Sequence, residues 1–333
     1  MLRHFIVISV LLASYSAQAK EPPFGIAIHG GAGTITRAQF SAEQEQAYKD
    51  KLAEAVEAGH AILAAGGESM DAVIAAIQVM EASPFFNAGK GAVYTFDGGH
   101  ELDASIMNGA TLAAGAVAGV TTVKSPIALA RAVMEQSVHV MLSGKGAEQF
   151  AEQQGLELVA NSYFNTDARY QQLLEAKKRL GVADYQAYLA LDDRFKYGTV
   201  GAVALDKNGN LAAGTSTGGM TAKRWGRVGD APIIGAGTWA DNASCAVSAT
   251  GHGEYFIRYH VAADICSRVK YQGVDIVSAG DTVIHDVLLP AGGTGGVIII
   301  DAAGNVHMPF NTEGMYRAKR VGNQPTEVGI YKN

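Results

Sequence analysis

The second half of the chain holds residues whose types and spacing could cleave an amide. Thr199 stands in "YGTVGAVALD", between Gly198 and a run of strand formers. Thr217 closes "LAAGTST", and Arg227 and Asp230 share the short stretch "GRVGD". Thr250 and Gly251 end "SATGHG", with Gly253 two residues on. A threonine hydroxyl is a poor nucleophile until a base takes its proton, and no His–Asp arrangement lies near Thr199 in sequence. The α-amine of Thr199 could be that base if Thr199 became a chain N-terminus. Such an amine has an unperturbed pKa of about 7.7–8.0, so part of it is neutral at working pH. The Gly198–Thr199 bond must break first. A glycine before the threonine leaves its carbonyl open to attack by the hydroxyl.

These residues need a sheet to bring them together. "DKNGN" (Asp206–Asn210) suits a type I turn closed by a left-handed glycine, the three-residue hairpin loop with a bulge. That loop sets Asp206 opposite Asn210. Counting back along both strands, it sets Thr199 opposite Thr217, with Cβ atoms about 4.5–5.5 Å apart. A two-residue Asn-Gly turn would instead set Gly218 opposite Thr199. A cross-strand Thr–Thr pair is also common in sheets without any function, since β-branched residues favour strands. Glycine-dense strand ends beside a separated arginine and aspartate make the difference, because together they suit a small zwitterion. Arg227 and Asp230 as a mere surface ion pair would be worth little.

Upstream, "FGIAIHGGAGTI" reads as a buried strand running into a glycine-rich loop. "SAEQ" (Ser41–Gln44) fits a capping box, and Tyr48, Leu52, Val56 and Leu63 recur at helical spacing, so a helix is expected over 44–65. "SMDAVIAAIQVMEAS" is apolar nearly all round and reads as a second, buried helix. "GAVYTFDGGHELDASIM" reads as a hairpin turning at Asp97–Gly99. Further helices are expected over 125–136, with Pro126 in its first turn, and over 146–154. Residues 160–196 read as a polar connector in which "YQQLLEAKKRL" could be helical. Strands are expected over 199–206, 211–217, 233–239, 243–250, 297–301 and 306–310, with helices over 253–271 and 281–289. Hairpins mixed with helices give an α+β layered fold.

The 333 residues, 48% hydrophobic and 17% charged, fit a globular chain of one large or two ordinary domains. A net charge of −6 without a basic run argues against nucleic-acid or anionic-membrane partners. "MLRHFIVISVLLASYSAQAK" has the layout of a secretory signal peptide, cut after Ala19, and its apolar stretch is short of the ~20 residues of a span. That implies export, most simply to a periplasm. The two cysteines, Cys245 and Cys266, read as buried thiols, although an oxidising compartment permits a disulfide.

The motifs "HGGAG", "FNAGKGAV", "ELDASIM", "YGTVGAVALD", "TSTGGMTAK", "GRVGDAPIIGAG", "ATGHGE", "GGTGG" and "PFNTEGMYRA" together resemble the plant-type L-asparaginase / isoaspartyl peptidase family of N-terminal nucleophile hydrolases. The resemblance covers nearly everything after about Phe24. It implies a four-layer αββα sandwich, cut between Gly198 and Thr199 into an α chain (20–198) and a β chain (199–333), and assembled as a dimer of αβ units. It implies Thr199 as nucleophile and Thr217 as its hydrogen-bond partner. It implies Arg227 and Asp230, helped by the Gly253 carbonyl, as holders of the substrate's α-carboxylate and α-ammonium. Thr250 and Gly251 would form the oxyanion hole, and Asn87 would line the site. No catalytic cofactor is implied. A structural Na⁺ would sit on main-chain carbonyls of Met80, Glu81, Ser83, Phe86, Ala88 and Lys90. The implied substrates are small: L-asparagine and β-aspartyl dipeptides. Glycosylasparaginase is the nearest rival, though that group typically has an acidic residue where Gly198 stands. A non-catalytic periplasmic amino-acid-binding protein would need Arg227 and Asp230 but no cut.

Overall fold

Twelve strands in two antiparallel-rich sheets carry the molecule, in a computed structural model that describes residues 22–180 and 198–332. The expected signal peptide, with its cut after Ala19, and connector residues 181–197 lie outside the described residues. The larger sheet runs in the order β12-β11-β1-β5-β6-β2-β3-β4. Its strands are β1 (Gly25–Gly33), β2 (Leu102–Asn108), β3 (Ala114–Val120), β4 (Met141–Ser143), β5 (Val200–Leu205), β6 (Leu211–Thr217), β11 (Gly314–Val321) and β12 (Glu327–Tyr331). The smaller sheet is β10-β9-β8-β7, from β7 (Thr238–Ala240), β8 (Cys245–Gly251), β9 (Gly295–Asp301) and β10 (Val306–His307).

β5 and β6 are buried on both faces, which is why they lack polar alternation. One apolar cluster lies between the sheets and includes Ala27, Val203, Leu211, Ala213, Ile298 and Ile300. Helices α1 (Ala42–Ala64), α2 (Ser69–Glu81) and α3 (Pro126–Gln136) pack on the outer face of the large sheet. α2 lays Val73, Ala76, Ile77 and Met80 there, each fully buried. Truncating one such aliphatic side chain to alanine costs about 2–5 kcal/mol. The outer face of the small sheet is covered by α7 (Val261–Ser267), α8 (Ile276–Asp281) and the turns that follow. The chain is thus α+β, with helices outside and two sheets inside.

Local signals are realised closely. Ser41 caps α1 through a two-way box with Gln44. α4 (Gly144–Gln153) and α5 (Asp167–Leu180) stand where helices are expected.

Several longer-range expectations fail for physical reasons. The 91–107 hairpin does not form, although its turn does. β2 is paired on both edges by β3 and β6, so residues 94–96 bond to 222–223 instead. The helix over 253–271 is broken into α6 (Gly253–Arg258), α7 and a wider turn at Arg268–Gln272. His260 takes a left-handed φ of 48° at the break. There the free N–H groups of Ala262 and Ala263 find the carbonyls of Ala236 and Gly235. Those same residues turn where a strand over 233–239 was expected. Cys245 and Cys266 are joined in a disulfide rather than left as thiols, with Cα atoms 5.4 Å apart.

Candidate active site

The hairpin register places the two threonines. β5 and β6 pair Leu205 with Leu211 and Val200 with Ser216, so Thr199 stands opposite Thr217. The turn that fixes this is the three-residue one: Asp206 N–H donates to Asn210 O, and Gly209 N–H to Asp206 O, both at 3.0 Å. The Asp206 carboxylate also accepts from the N–H groups of Asn208 and Asn210.

Around Gly198 the polar groups interlock. Thr199 Oγ1 donates to Thr217 Oγ1 at 3.1 Å, and Thr217 Oγ1 donates to the Gly198 carbonyl at 3.1 Å. Asn87 Nδ2 donates to the same carbonyl at 2.8 Å and to Gly219 O at 2.7 Å. Asn87 is itself clamped, because Val93 N–H donates to its Oδ1 and Gly218 N–H to its carbonyl. Gly198 has φ +147°, and a Cβ there would lie 2.9 Å from that of Asn87, so only glycine fits. The carbonyl before Thr199 therefore has two donors on its oxygen and a hydroxyl beside it.

Behind Thr199 runs a buried chain of hydroxyls that the sequence did not reveal. His29 Nδ1 lies 3.0 Å from Thr199 O, and His29 Nε2 lies 3.0 Å from Ser248 Oγ. A carbonyl only accepts, so Nδ1 carries the proton and Ser248 donates into Nε2. Burial holds the imidazole neutral, with its pKa lowered to about 3. Ser248 Oγ is 2.7 Å from Thr215 Oγ1, Thr215 is 2.6 Å from Thr238 Oγ1, and Thr238 is 2.8 Å from Ser105 Oγ. Ser105 Oγ also lies 2.6 Å from Ala231 O, the residue after Asp230. A Cβ on Gly201 would lie 2.0 Å from Ser248 Oγ and 2.4 Å from His29 Nε2. The second glycine of "GTVG" is what lets this chain close.

Arg227 and Asp230 converge on Gly253. A Cβ at Gly253 would lie 2.8 Å from Arg227 Nη2 and 2.9 Å from Asp230 Oδ1. Arg227 Nε and Nη2 are held by Glu254 Oε1 and Oε2, both at 3.0 Å, a two-point pairing that orients the guanidinium and leaves its Nη1 edge. Glu254, the last residue of "ATGHGE", was not singled out from sequence. Asp230 is buried, and its Oδ2 has no hydrogen-bond partner among the described residues. Burial pushes its pKa up to about 7 against the pull of Arg227. Asp103, opposite Thr217 on β2, is also fully buried with an unpartnered Oδ2, and its charge is felt at both Arg227 and Asp230. It links the two ends of the site. Buried Lys223 stands 4.0 Å from it.

Thr250 and Gly251 end β8. Thr250 Oγ1 accepts from Ala32 N–H at 3.3 Å, which ties it to the glycine-rich end of β1 beside Thr199, where the sequence suggested a loop.

The carbonyls of the expected cation loop run from the last turn of α2 to the turn at Gly89–Gly91. Those of Met80, Phe86 and Ala88 accept the N–H groups of Ser83, Ala88 and Gly91. The Glu81 side chain is used otherwise, accepting from Ser125 Oγ, Ile127 N and Ser216 Oγ, and burial raises its pKa to about 7. Lys90 Nζ points out of the loop to the Tyr163 carbonyl at 2.5 Å. No cluster of three His, Cys, Asp or Glu side chains suited to a metal occurs among the described residues.

A carbonyl flanked by donors and a hydroxyl, in a chain that also brings together a half-buried arginine and a buried aspartate, is equipment for opening an amide, and comparisons with known proteins place the chain among amide hydrolases. It belongs to the asparaginase family, whose model matches residues 22–330. It is 53% identical over 307 residues to an isoaspartyl peptidase of Salmonella typhimurium, covering 92% of this chain and 98% of that one. An isoaspartyl peptidase of Escherichia coli is 52% identical over the same length, with 92% and 96% covered. A plant-type L-asparaginase of Pyrobaculum calidifontis is 44% identical over 295 residues, with 88% and 95% covered.

Proposed function

We propose that this chain cuts itself between Gly198 and Thr199 and then hydrolyses β-aspartyl amides, both L-asparagine and β-aspartyl dipeptides, to L-aspartate. The observation that carries the reading is the Thr199–Thr217–Gly198 arrangement, fixed by the 206–210 turn. In the uncut chain, the Thr199 hydroxyl passes its proton to Thr217 as Oγ1 attacks the Gly198 carbonyl carbon. Thr217 and Asn87 meet the charge developing on the carbonyl oxygen. The bond to Thr199 N breaks as Thr217 relays that proton to the departing nitrogen, and water then hydrolyses the ester, leaving a carboxylate on Gly198 and restoring the Thr199 hydroxyl. The freed amine of Thr199 then serves as base.

In the mature site Asp230 and the Gly253 carbonyl take the substrate α-ammonium, and Arg227, oriented by Glu254, takes the α-carboxylate. Thr199 Oγ1 attacks the side-chain carbonyl, with Thr250 Oγ1 and Gly251 N–H on its oxygen. A donor of that kind is worth about 2.7–4 kcal/mol in the transition state. Ammonia or an amino acid leaves, and water frees aspartate from the acyl-enzyme. His29 and the hydroxyl chain hold the Thr199 carbonyl, so that the new chain end keeps its place.

The finer parts of the same reading are a four-layer αββα nucleophile-hydrolase sandwich, a dimer of αβ units, and export to a periplasm. The Cys245–Cys266 disulfide supports an oxidising destination. A Na⁺ on the carbonyls of the 80–90 loop would be structural, and main-chain oxygens are the hard donors such an ion takes. Intact-mass measurement of the purified protein tests the central claim. Two fragments, the second beginning at Thr199, are expected, together with aspartate release from asparagine. A chain that stays whole on incubation yet hydrolyses asparagine would refute it.

A further inference from the structure

We propose that the cavity bordering Gly198 is the subsite for the leaving amino acid of a β-aspartyl dipeptide, with Arg169 taking that residue's α-carboxylate. The inference rests on the hydrolase reading above and adds the part of the substrate beyond the cleaved bond. The cavity has a volume of about 400 Å³, enough for one amino acid. Gly31, Asn87 and Gly198 line it at one end, and Tyr48, Tyr316 and Arg169 line it elsewhere. It begins at the cleaved bond, since a Cβ on Gly31 would lie 3.1 Å from Gly198 Cα and 3.3 Å from Thr199 N.

Chemistry requires the leaving group on this side. Self-cleavage replaces the bond from Thr199 N to Gly198 with an N–H pointing where Gly198 stood. In acyl transfer the Thr199 hydroxyl proton goes to that amine as the Oγ1–carbon bond forms. When the amide C–N bond breaks, the ammonium returns one proton to the departing nitrogen. The departing nitrogen must therefore lie within hydrogen-bond reach of Thr199 N, at the mouth of this cavity.

The lining then reads as a receptor for an amino acid. Arg169 donates through Nε to Gly91 O at 2.8 Å and through Nη1 to Gln172 Oε1 at 3.0 Å. No carboxylate lies within 4.0 Å of it among the described residues. Glu175, on the same wall, pairs with Arg179 at 2.6 Å. Arg169 is half-buried in the cavity wall, and a guanidinium held there without a counter-ion gains when an anion arrives. The electrostatic neighbours of Arg169 are the hydroxyls of Tyr48 and Tyr316. Those two rings stack with centroids 4.7 Å apart and angle 8°, and Phe85 lies 4.9 Å from Tyr48. This wall suits an apolar side chain beside the carboxylate. Asparagine, whose leaving group is ammonia, leaves the cavity unfilled.

The test compares β-Asp-Leu, its C-terminal amide β-Asp-Leu-NH2, and L-asparagine on the processed wild-type enzyme and on Arg169→Gln and Arg169→Lys. Wild type is expected to prefer the free acid over the amide by about tenfold or more in kcat/KM, the scale of one charge-assisted hydrogen-bonded pair. In Arg169→Gln that preference should vanish, the ratio of dipeptide to asparagine kcat/KM should drop by a similar factor, and Arg169→Lys should restore part of it. Equal rates on acid and amide in wild type would overturn the subsite, and this comparison stands even if the variants fail to process. So would a parallel fall on all three substrates in Arg169→Gln. Processed wild-type enzyme that cleaves none of the three would instead overturn the hydrolase reading itself.

Discussion

The two ends of the site are built in opposite ways. At the Thr199 end the polar atoms are matched: Asn87 uses both amide protons and its oxygen, and Thr217 accepts from Thr199 and Gly219 while donating to Gly198. At the other end Asp230 keeps a buried oxygen without a hydrogen-bond partner among the described residues. On the proposed function, one end is finished before a substrate comes, and the other is completed by the substrate. A reacting group gains from fixed geometry. A binding charge gains from being desolvated but unsatisfied, because the ligand then supplies what the fold withheld.

Four experiments can break or sharpen that contrast. Thr199→Ala should abolish both the cut and hydrolysis, and residual asparagine turnover in the variant would remove Thr199 from the mechanism. Asp230→Asn should lower kcat/KM by about 10²–10³, the cost of losing one partner of a buried charge pair. It should also raise stability by on the order of 1–3 kcal/mol at pH 8, since an unsatisfied buried carboxylate is removed. Denaturant midpoints that fall instead would mean Asp230 is already satisfied. Asn87→Ala should slow self-cleavage by about 10²-fold, as expected for one lost oxyanion donor, while an unchanged processing rate would leave the finished end without its main donor.

The fourth is a pH titration. Asp230 must be ionised to take an ammonium, so KM for asparagine should climb up to tenfold per unit as pH falls below about 7. Its effect on folding has the opposite sense. The unfolded carboxyl ionises near 3.8 and the folded one near 7, so its contribution to stability is present below about 3.8 and lost as pH rises through 7. For His29 the folded pKa is the lower one. Its contribution is present above about 6.5 and lost as pH falls toward 3. Flat KM between pH 5 and 8 would count against the unsatisfied-charge account.

What the sequence disclosed follows the same division. The threonine pair was legible because a five-residue turn determines it, and turn chemistry is local. The Ser41 cap and the α2 core face were legible for the same reason. His29, Ser248 and Thr215 were not, because they come from three strands up to 219 positions apart and each looks like an ordinary strand residue. Gly201 was the one available trace of them. Glu254 escaped because its partner lies 27 residues away across a turn. The disulfide escaped because residue type alone gives no distance between cysteines. The 91–107 hairpin was misread because nothing in that stretch says that both edges of β2 are already taken.

If the chain is cut as proposed, the strand order has a consequence for the product as an object. β1 lies between β11 and β5, and β6 lies beside β2. Three of the seven neighbouring pairs in the large sheet therefore join a strand from before Thr199 to one from after it. Two fragments made this way are woven, not docked. Pulling them apart would mean tearing the central sheet along three seams, so breaking the backbone at 198–199 removes a covalent link without creating a separable subunit. Each fragment alone would be a set of strands missing their neighbours. On the proposed cut, the single chain is thus what threads them together, and once folded it could be severed at 198–199 with the weave intact.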